Sequence, residues 1–198
     1  MSGKTPPTGA ARNFATCLMR SVGGFAVAIT LVSAAHAQAP AQVSEEAVEA
    51  AYLHKFPGFV EWPAEAFKTP TSPIVIGLAG APRVLDELTK LARGRLVLNR
   101  PVETRAVDPK ELPPDLHVLF IGKVAATDAR RLIAEARRAH MLVVTDLPEG
   151  LNAGGVLDFV RIDGRLRFEA SLPAANRTGV KLSSKLLSVA SKVVEETP

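Results

Sequence analysis

The chain has 198 residues, with 24 Lys and Arg against 20 Asp and Glu, and is 47% hydrophobic but only 5% aromatic. Three of the basic residues, Lys4, Arg12 and Arg20, fall within positions 1–37, where there is no acidic residue. The remainder is therefore close to neutral and lacks the clustered basic surface that nucleic-acid binding requires. The only cysteine, Cys17, lies in the same leading segment, which leaves the rest without a disulfide, a redox switch or a thiolate metal ligand.

Residues 1–37 read as a signal peptide. The three basic residues precede an apolar run from Ser21 to Ala35, and Ala35-His36-Ala37 fits a small-x-small cleavage site, so cleavage is expected after Ala37. An apolar run of about 15 residues falls short of the ~20 that a transmembrane helix needs. The expected product is an exported protein with a single domain over 38–198, long enough to bury roughly 70% of its unfolded surface.

Ser44 is placed to cap a first helix carrying Glu45 and Glu46 in its opening turn. Val48, Ala51, Tyr52, Phe56 and Phe59 follow helical spacing as one apolar stripe, with Lys55 the exception. Pro57 should end that helix, because it lacks an amide hydrogen and crowds the preceding turn. This stretch, AYLHKFPGFVEWP, holds the chain's only Tyr and only Trp, Tyr52 and Trp62. Tyr52 and Phe56 are expected to pack on a sheet and Trp62 to close the turn into the first strand.

SPIVIGLAG then predicts a buried strand and residues 82–92 a helix, with Val84, Leu85, Leu88 and Leu91 inside. Weaker strands follow around Val97 and over 102–107, and LHVLFIG, Leu116 to Gly122, is the strongest strand signal. Thr127 is expected to cap a helix whose inner face is Leu132, Ile133 and Ala136. Arg130, Arg131, Arg137 and Arg138 cluster on it, but with Asp128 and Glu135 interspersed, as on a solvated face. MLVVTD returns as a strand, and GGVLDFVRIDGRLRFEAS alternates about Asp163-Gly164, a tight β-hairpin signal. Asn176 to Gly179 reads as a turn, and Leu182, Leu186, Val189, Ala190 and Val193 as a closing amphipathic helix. The expected fold is α/β: a mixed, largely parallel sheet with helices on both faces, then a C-terminal β-hairpin and a closing helix.

Motifs for chemistry are weak. GLAGAP lacks the spacing of a phosphate-binding glycine loop. His54, His117 and His140 are not spaced as a metal pair, so no metal or cofactor is expected. Ser183 and Ser184 lack a nucleophile-elbow context, and Ser183 suits a helix cap. Asp158 and Glu169 lie on hairpin partners and could form a carboxylate pair, although surface positions of an alternating strand explain them equally. Arg165 and Arg167 share one strand face by the period of two. With Arg177 they could grip a carboxylate or phosphate, the other reading being charge that protects an edge strand.

AAYLHKFPGFVEWP, LHVLFIG and the block from LVVTDLPEGLNAGGVLDFVRIDG through LSSKLLSVASKV, preceded by a signal peptide, together resemble the YfiR-like family of periplasmic proteins. The resemblance spans essentially the whole chain after the signal and is most specific in the C-terminal block. It implies a non-enzymatic, dimerising periplasmic regulator that holds a membrane-bound diguanylate cyclase inactive through its periplasmic sensor domain, and so controls cyclic di-GMP and biofilm formation. Two departures stand out: the absence of cysteine from the mature domain rules out a disulfide-controlled version, and Pro57-Gly58 interrupts a helix that usually runs on. Within this resemblance Phe59 and Trp62 are the expected partner-binding residues. The alternative is a periplasmic small-molecule binder for an anion, amino acid or nucleotide, with Arg165, Arg167 and Arg177 as ligand contacts.

Overall fold

The computed structural model describes residues 43–195, so the expected signal peptide and its cleavage site lie outside the described residues. Among the described residues no helix is long and apolar enough to cross a membrane. Helix α1 spans Glu45–Lys55, and the Ser44 Oγ caps it by accepting a hydrogen bond from the Ala47 N–H at 3.2 Å. Pro57 ends the helix as expected, and the chain tightens into a 3₁₀ turn over Phe56–Phe59. The buried stripe of α1 differs from the apolar periodicity. Glu49, Ala50, Leu53 and His54 are buried, while Val48, Ala51 and Tyr52 are only partly so. Two charged or titratable groups face inwards because α1 is covered by neighbours on more than one side, including α2.

The remaining elements follow in chain order: β1 (Val60–Glu61), β2 (Ile74–Ala79), α2 (Pro82–Ala92), β3 (Leu96–Val97), β4 (Arg100–Val107), β5 (Val118–Ile121), α3 (Ala126–Arg138), β6 (Leu142–Thr145), β7 (Leu157–Ile162), β8 (Arg165–Ser171), α4 (Leu172–Thr178), β9 (Lys181–Leu182), α5 (Ser184–Leu187) and β10 (Lys192–Val194). Strands β1 and β9 form a small antiparallel pair. The main sheet has eight strands in the order β10-β8-β7-β6-β5-β2-β4-β3. Its centre, β4-β2-β5-β6-β7, is parallel, whereas β8 runs antiparallel to β7 and β3 antiparallel to β4. The mixed, largely parallel sheet is thus the expected one. Every residue of β2, β5 and β6 is buried, which explains their uninterrupted apolar runs.

The chain leaves β2 for β4 on one side and returns to β5 on the other. This is the doubly wound order in which a crevice opens beyond the carboxyl ends of the two central strands.

Three local expectations need correction. Thr127 does not cap α3; Ala125 occupies the cap position without a side-chain bond. Asn176 to Gly179 is not a free turn but the end of α4, closed by Gly179 in the left-handed conformation, φ 77°. The closing helix is a single turn, α5, capped by Ser183 as expected. Beyond it the chain turns into β10, which lies parallel to β8 through Lys192 to Glu169 and Val194 to Ser171. The outer side of β8 was open, and the β-branched Val193 and Val194 add a strand there in preference to continuing a helix.

The hairpin is as expected: Asp163 and Gly164 both have positive φ, 51° and 70°, the twist that matches paired strands. A Cβ added at Gly164 would meet nothing within 4 Å. Gly164→Ala is therefore expected to cost about 1 kcal/mol through backbone conformation alone, measurable by urea unfolding.

Candidate functional site

The aromatic motif divides into two parts. Tyr52 and Phe56 stack at 5.6 Å, and both meet Phe159 of β7 and Phe168 of β8, with Phe56 at 5.1 Å from Phe168 in edge-to-face geometry. Phe159 and Phe168 are cross-strand partners, so the hairpin presents two rings side by side to α1. This half is core, as expected, and Phe56 is only 1% exposed.

The second half lies beyond Pro57. Phe59 is 37% exposed, although its carbonyl is held by the Ser183 N–H at 2.9 Å. Trp62 is half-buried and folds back so that its Nε1–H donates to the Pro57 carbonyl at 3.2 Å. It also meets Phe67 and His117 edge-on, and these two stack at 4.5 Å. The Arg100 guanidinium lies 3.8 Å from the Phe67 ring centre. His117 is fixed in one tautomer: the Val75 N–H donates to Nδ1 at 3.2 Å, which leaves Nε2–H to donate to the Ala66 carbonyl at 3.0 Å. Burial lowers the pKa of His117, and the Val75 bond is available only to the neutral ring. Trp62, Lys68, Glu103, Asp115, His117 and His140 line a cavity of about 410 Å³.

A third feature was invisible in the sequence. The crevice beyond the carboxyl ends of β2 and β5 is a cavity of about 320 Å³, lined by Gly80, Gly122, Lys123 and the start of α2. In doubly wound sheets this is where ligands bind. Here the chain's own charges line it. Arg161, at the outer part of β7, donates to Glu45 at 2.5 Å, to Glu49 at 3.2 Å and to Asp146. Arg83 pairs with Glu46 at 2.7 Å. The network joins the first two turns of α1, the end of β6 and the hairpin.

One guanidinium thus serves three carboxylates. Glu49, 4% exposed, has its pKa raised from 4.5 to about 7 by burial, then by repulsion from Asp146, with the opposing pull of Arg161 too weak to prevent it. Gly80 has φ 68°, and a Cβ there would come within 2.5 Å of the Lys123 carbonyl. Residues 77–82 of the GLAGAP turn are thus a tight strand-to-helix connection. Among the described residues no cluster of His, Cys, Asp and Glu could hold a metal ion.

Asp158 and Glu169 do lie directly opposite each other, but Asp158 is not a surface position as the alternation suggested; it is 5% exposed. The Thr145 hydroxyl donates to it at 2.6 Å, and the amides of Leu147 and Gly150 also bond to it. Burial nevertheless raises its pKa to about 6. Its role is to anchor the loop between β6 and β7. A Cβ at Gly150 would overlap both Thr145 Oγ1 and Asp158 Oδ1, so a glycine is required.

Arg165 and Arg167 are exposed on β8, and Arg177 is exposed in α4. None of them lines either of these two cavities. Ser184 opens α5 and Ser183 caps it.

Strand order and crevice together define a doubly wound α/β domain whose switch point is lined by its own ion pairs. The chain belongs to the YfiR/HmsC-like family, whose model matches residues 46–191. The match includes the aromatic motif and the hairpin, the parts that pack on each other. Members of that family are periplasmic regulators of diguanylate cyclases. No curated protein matches the chain.

Proposed function

We propose that this protein is a periplasmic repressor that docks on the periplasmic sensor domain of a membrane-bound diguanylate cyclase and favours its inactive conformation, thereby controlling cyclic di-GMP and biofilm formation. Membership of the YfiR/HmsC-like family over residues 46–191 is the observation that carries the proposal. The mechanism is differential binding: repression cannot exceed the difference in affinity for the two cyclase states. Phe59 is the proposed contact residue, since it is the exposed ring of a motif that is otherwise packed, and Trp62 supports the turn that presents it. Export and homodimer formation belong to the same proposal, as does the absence of an enzymatic step.

The test is co-expression with a membrane-bound diguanylate cyclase from the same genome, with and without residues 1–37. Cyclic di-GMP should fall only when the protein is exported. Phe59→Ala should restore at least part of the nucleotide level while leaving the melting temperature within a few degrees. An unchanged level on co-expression of the exported protein would refute repression for that pair.

The small-molecule reading keeps one specific support, the 410 Å³ cavity beside Trp62 and His117, rather than the hairpin arginines proposed from the sequence. A ligand at 100 times its dissociation constant should add ~2.7 kcal/mol of stability. A melting-temperature screen against amino acids, nucleotides and dicarboxylates reads that out.

A further inference from the structure

Strand β4 is unevenly paired. It meets β2 over Val102–Val107, but on its other side only Arg100 and Pro101 pair with β3. Among the described residues nothing pairs with the outer side of residues 102–107. In a parallel ladder alternate residues turn their N–H and C=O to one neighbour, so the residues between them offer theirs outwards.

Helix α2 runs beside this open edge. Two cavities of about 400 and 340 Å³ follow it and share Thr89, Arg93 and Thr104. Leu85 and Thr89, four apart and so on one helix stripe, form one wall, which Arg93 extends just past the end of α2. Val102 and Thr104 form the other. The walls are tied together: the Thr89 hydroxyl donates to the Leu85 carbonyl at 2.7 Å, which leaves the Thr104 hydroxyl to donate to Thr89, also at 2.7 Å. A fixed groove between an open strand edge and a helix is the arrangement by which domains take up an extended peptide as an added strand.

Charged residues flank an otherwise mixed lining that includes Leu85, Leu96 and Val102. Arg93 and Arg95 are exposed at the β3 end, and among the described residues neither forms an ion pair. Lys90 beside them is matched by Glu87 at 2.8 Å, and Asp86 lies towards the other end. Pro101, Glu103 and Arg105 are exposed along the strand, which discourages unspecific pairing of a bare edge.

We propose that the groove between β4 and α2 binds an extended segment of the partner protein as an additional strand, with a carboxylate of that segment beside Arg93 and Arg95. This rests on the reading of the chain as a docking regulator and names the chemistry of its partner: a strand-forming segment carrying an acidic residue at one end.

The test pans random decapeptides displayed on phage against the exported chain and follows amide hydrogen exchange over Val102–Val107. Enriched peptides should alternate β-branched residues and carry an Asp or Glu. They should slow exchange at alternate positions of β4, and bind roughly tenfold or more weakly to the double variant Arg93→Glu, Arg95→Glu, whose melting temperature should be unchanged. No enrichment, protection elsewhere, or equal binding by the charge-reversed variant overturns the proposal. So does protection of the same amides by a second copy of the chain without peptide.

The cyclase's periplasmic domain is measured in the same way. If that domain binds and leaves β4 unprotected, the groove is refuted and the regulatory reading stands. If peptides protect β4 but the domain does not bind, the regulatory reading for that pair is refuted and the peptide groove stands.

Discussion

Phe56→Ala is expected to remove about 3–5 kcal/mol of stability, the range for truncating a fully buried aromatic ring. Phe56 is 1% exposed and touches three other rings, Tyr52, Phe159 and Phe168, with centroids 5.1–5.9 Å away. Each such pair adds about 0.5–1.5 kcal/mol beyond the area it buries. The hairpin strands hold the backbone apart, so the space left by the ring cannot readily collapse. At about 2–4 °C per kcal/mol for a domain of this size, the melting temperature should fall by roughly 10 °C. Phe59→Ala, three residues on, should cost only about 1–2 kcal/mol, because its ring is already 37% exposed. Urea unfolding of the two variants side by side checks the division of the motif; equal losses would contradict it.

Glu49→Gln is expected to change the dependence of stability on pH. Glu49 has a folded pKa of about 7 against 4.5 ordinarily. Between those values the native state holds a proton that the unfolded state has lost, so stability is greatest below about 4.5 and falls as pH rises towards 7. Glu45, Glu46, Asp146 and Arg161 are the charged groups acting on it. The loss amounts to about 3 kcal/mol over the window, and the uncharged amide introduced by Glu49→Gln escapes it. Relative to the native chain the variant should therefore gain stability steadily between pH 4.5 and about 7. Asp158 acts in the same sense over a lower window, to about pH 6. His54 and His117, whose pKa values burial lowers, act in the opposite sense: they favour the native state as pH rises through the usual histidine range. Those three groups are common to both proteins, so the difference between the two unfolding curves isolates Glu49. A difference constant with pH would show that the Arg161 network keeps Glu49 ionised throughout.

The parts of the fold legible in the sequence are those where one local signal dominates. The β-branched run at Ile74, Val75 and Ile76, the periodic helix over 82–92 and the Asp163-Gly164 turn each carry their own evidence, and each stands where it was expected. Leu182 to Val193 carries an ambiguous one. The same apolar residues suit a helix or a short strand, and the decision falls to a distant feature, the unoccupied side of β8. The charged network is out of reach for a similar reason. Arg161 lies 116 residues from Glu45 and 112 from Glu49, so no spacing rule connects them. A glutamate in an amphipathic helix is ordinarily read as solvated, and only the packing of α1 against both sheet and α2 makes Glu49 a buried group. Asp158 escapes the alternation rule because strict alternation assumes a solvent face, whereas that face of the hairpin is covered by the Leu147–Gly150 loop.

The contact between α1 and the β7–β8 hairpin also sets an order of events during synthesis. Phe56 and Phe168 are separated by more than a hundred residues, and chains are made from the N-terminus at about 5–20 residues per second. Tyr52 and Phe56 therefore wait on the order of ten seconds before the rings that cover them exist. During that time an amphipathic segment with an aromatic face is open to other chains and to chaperones. An element whose rings belong to the core is thus one whose partner arrives late.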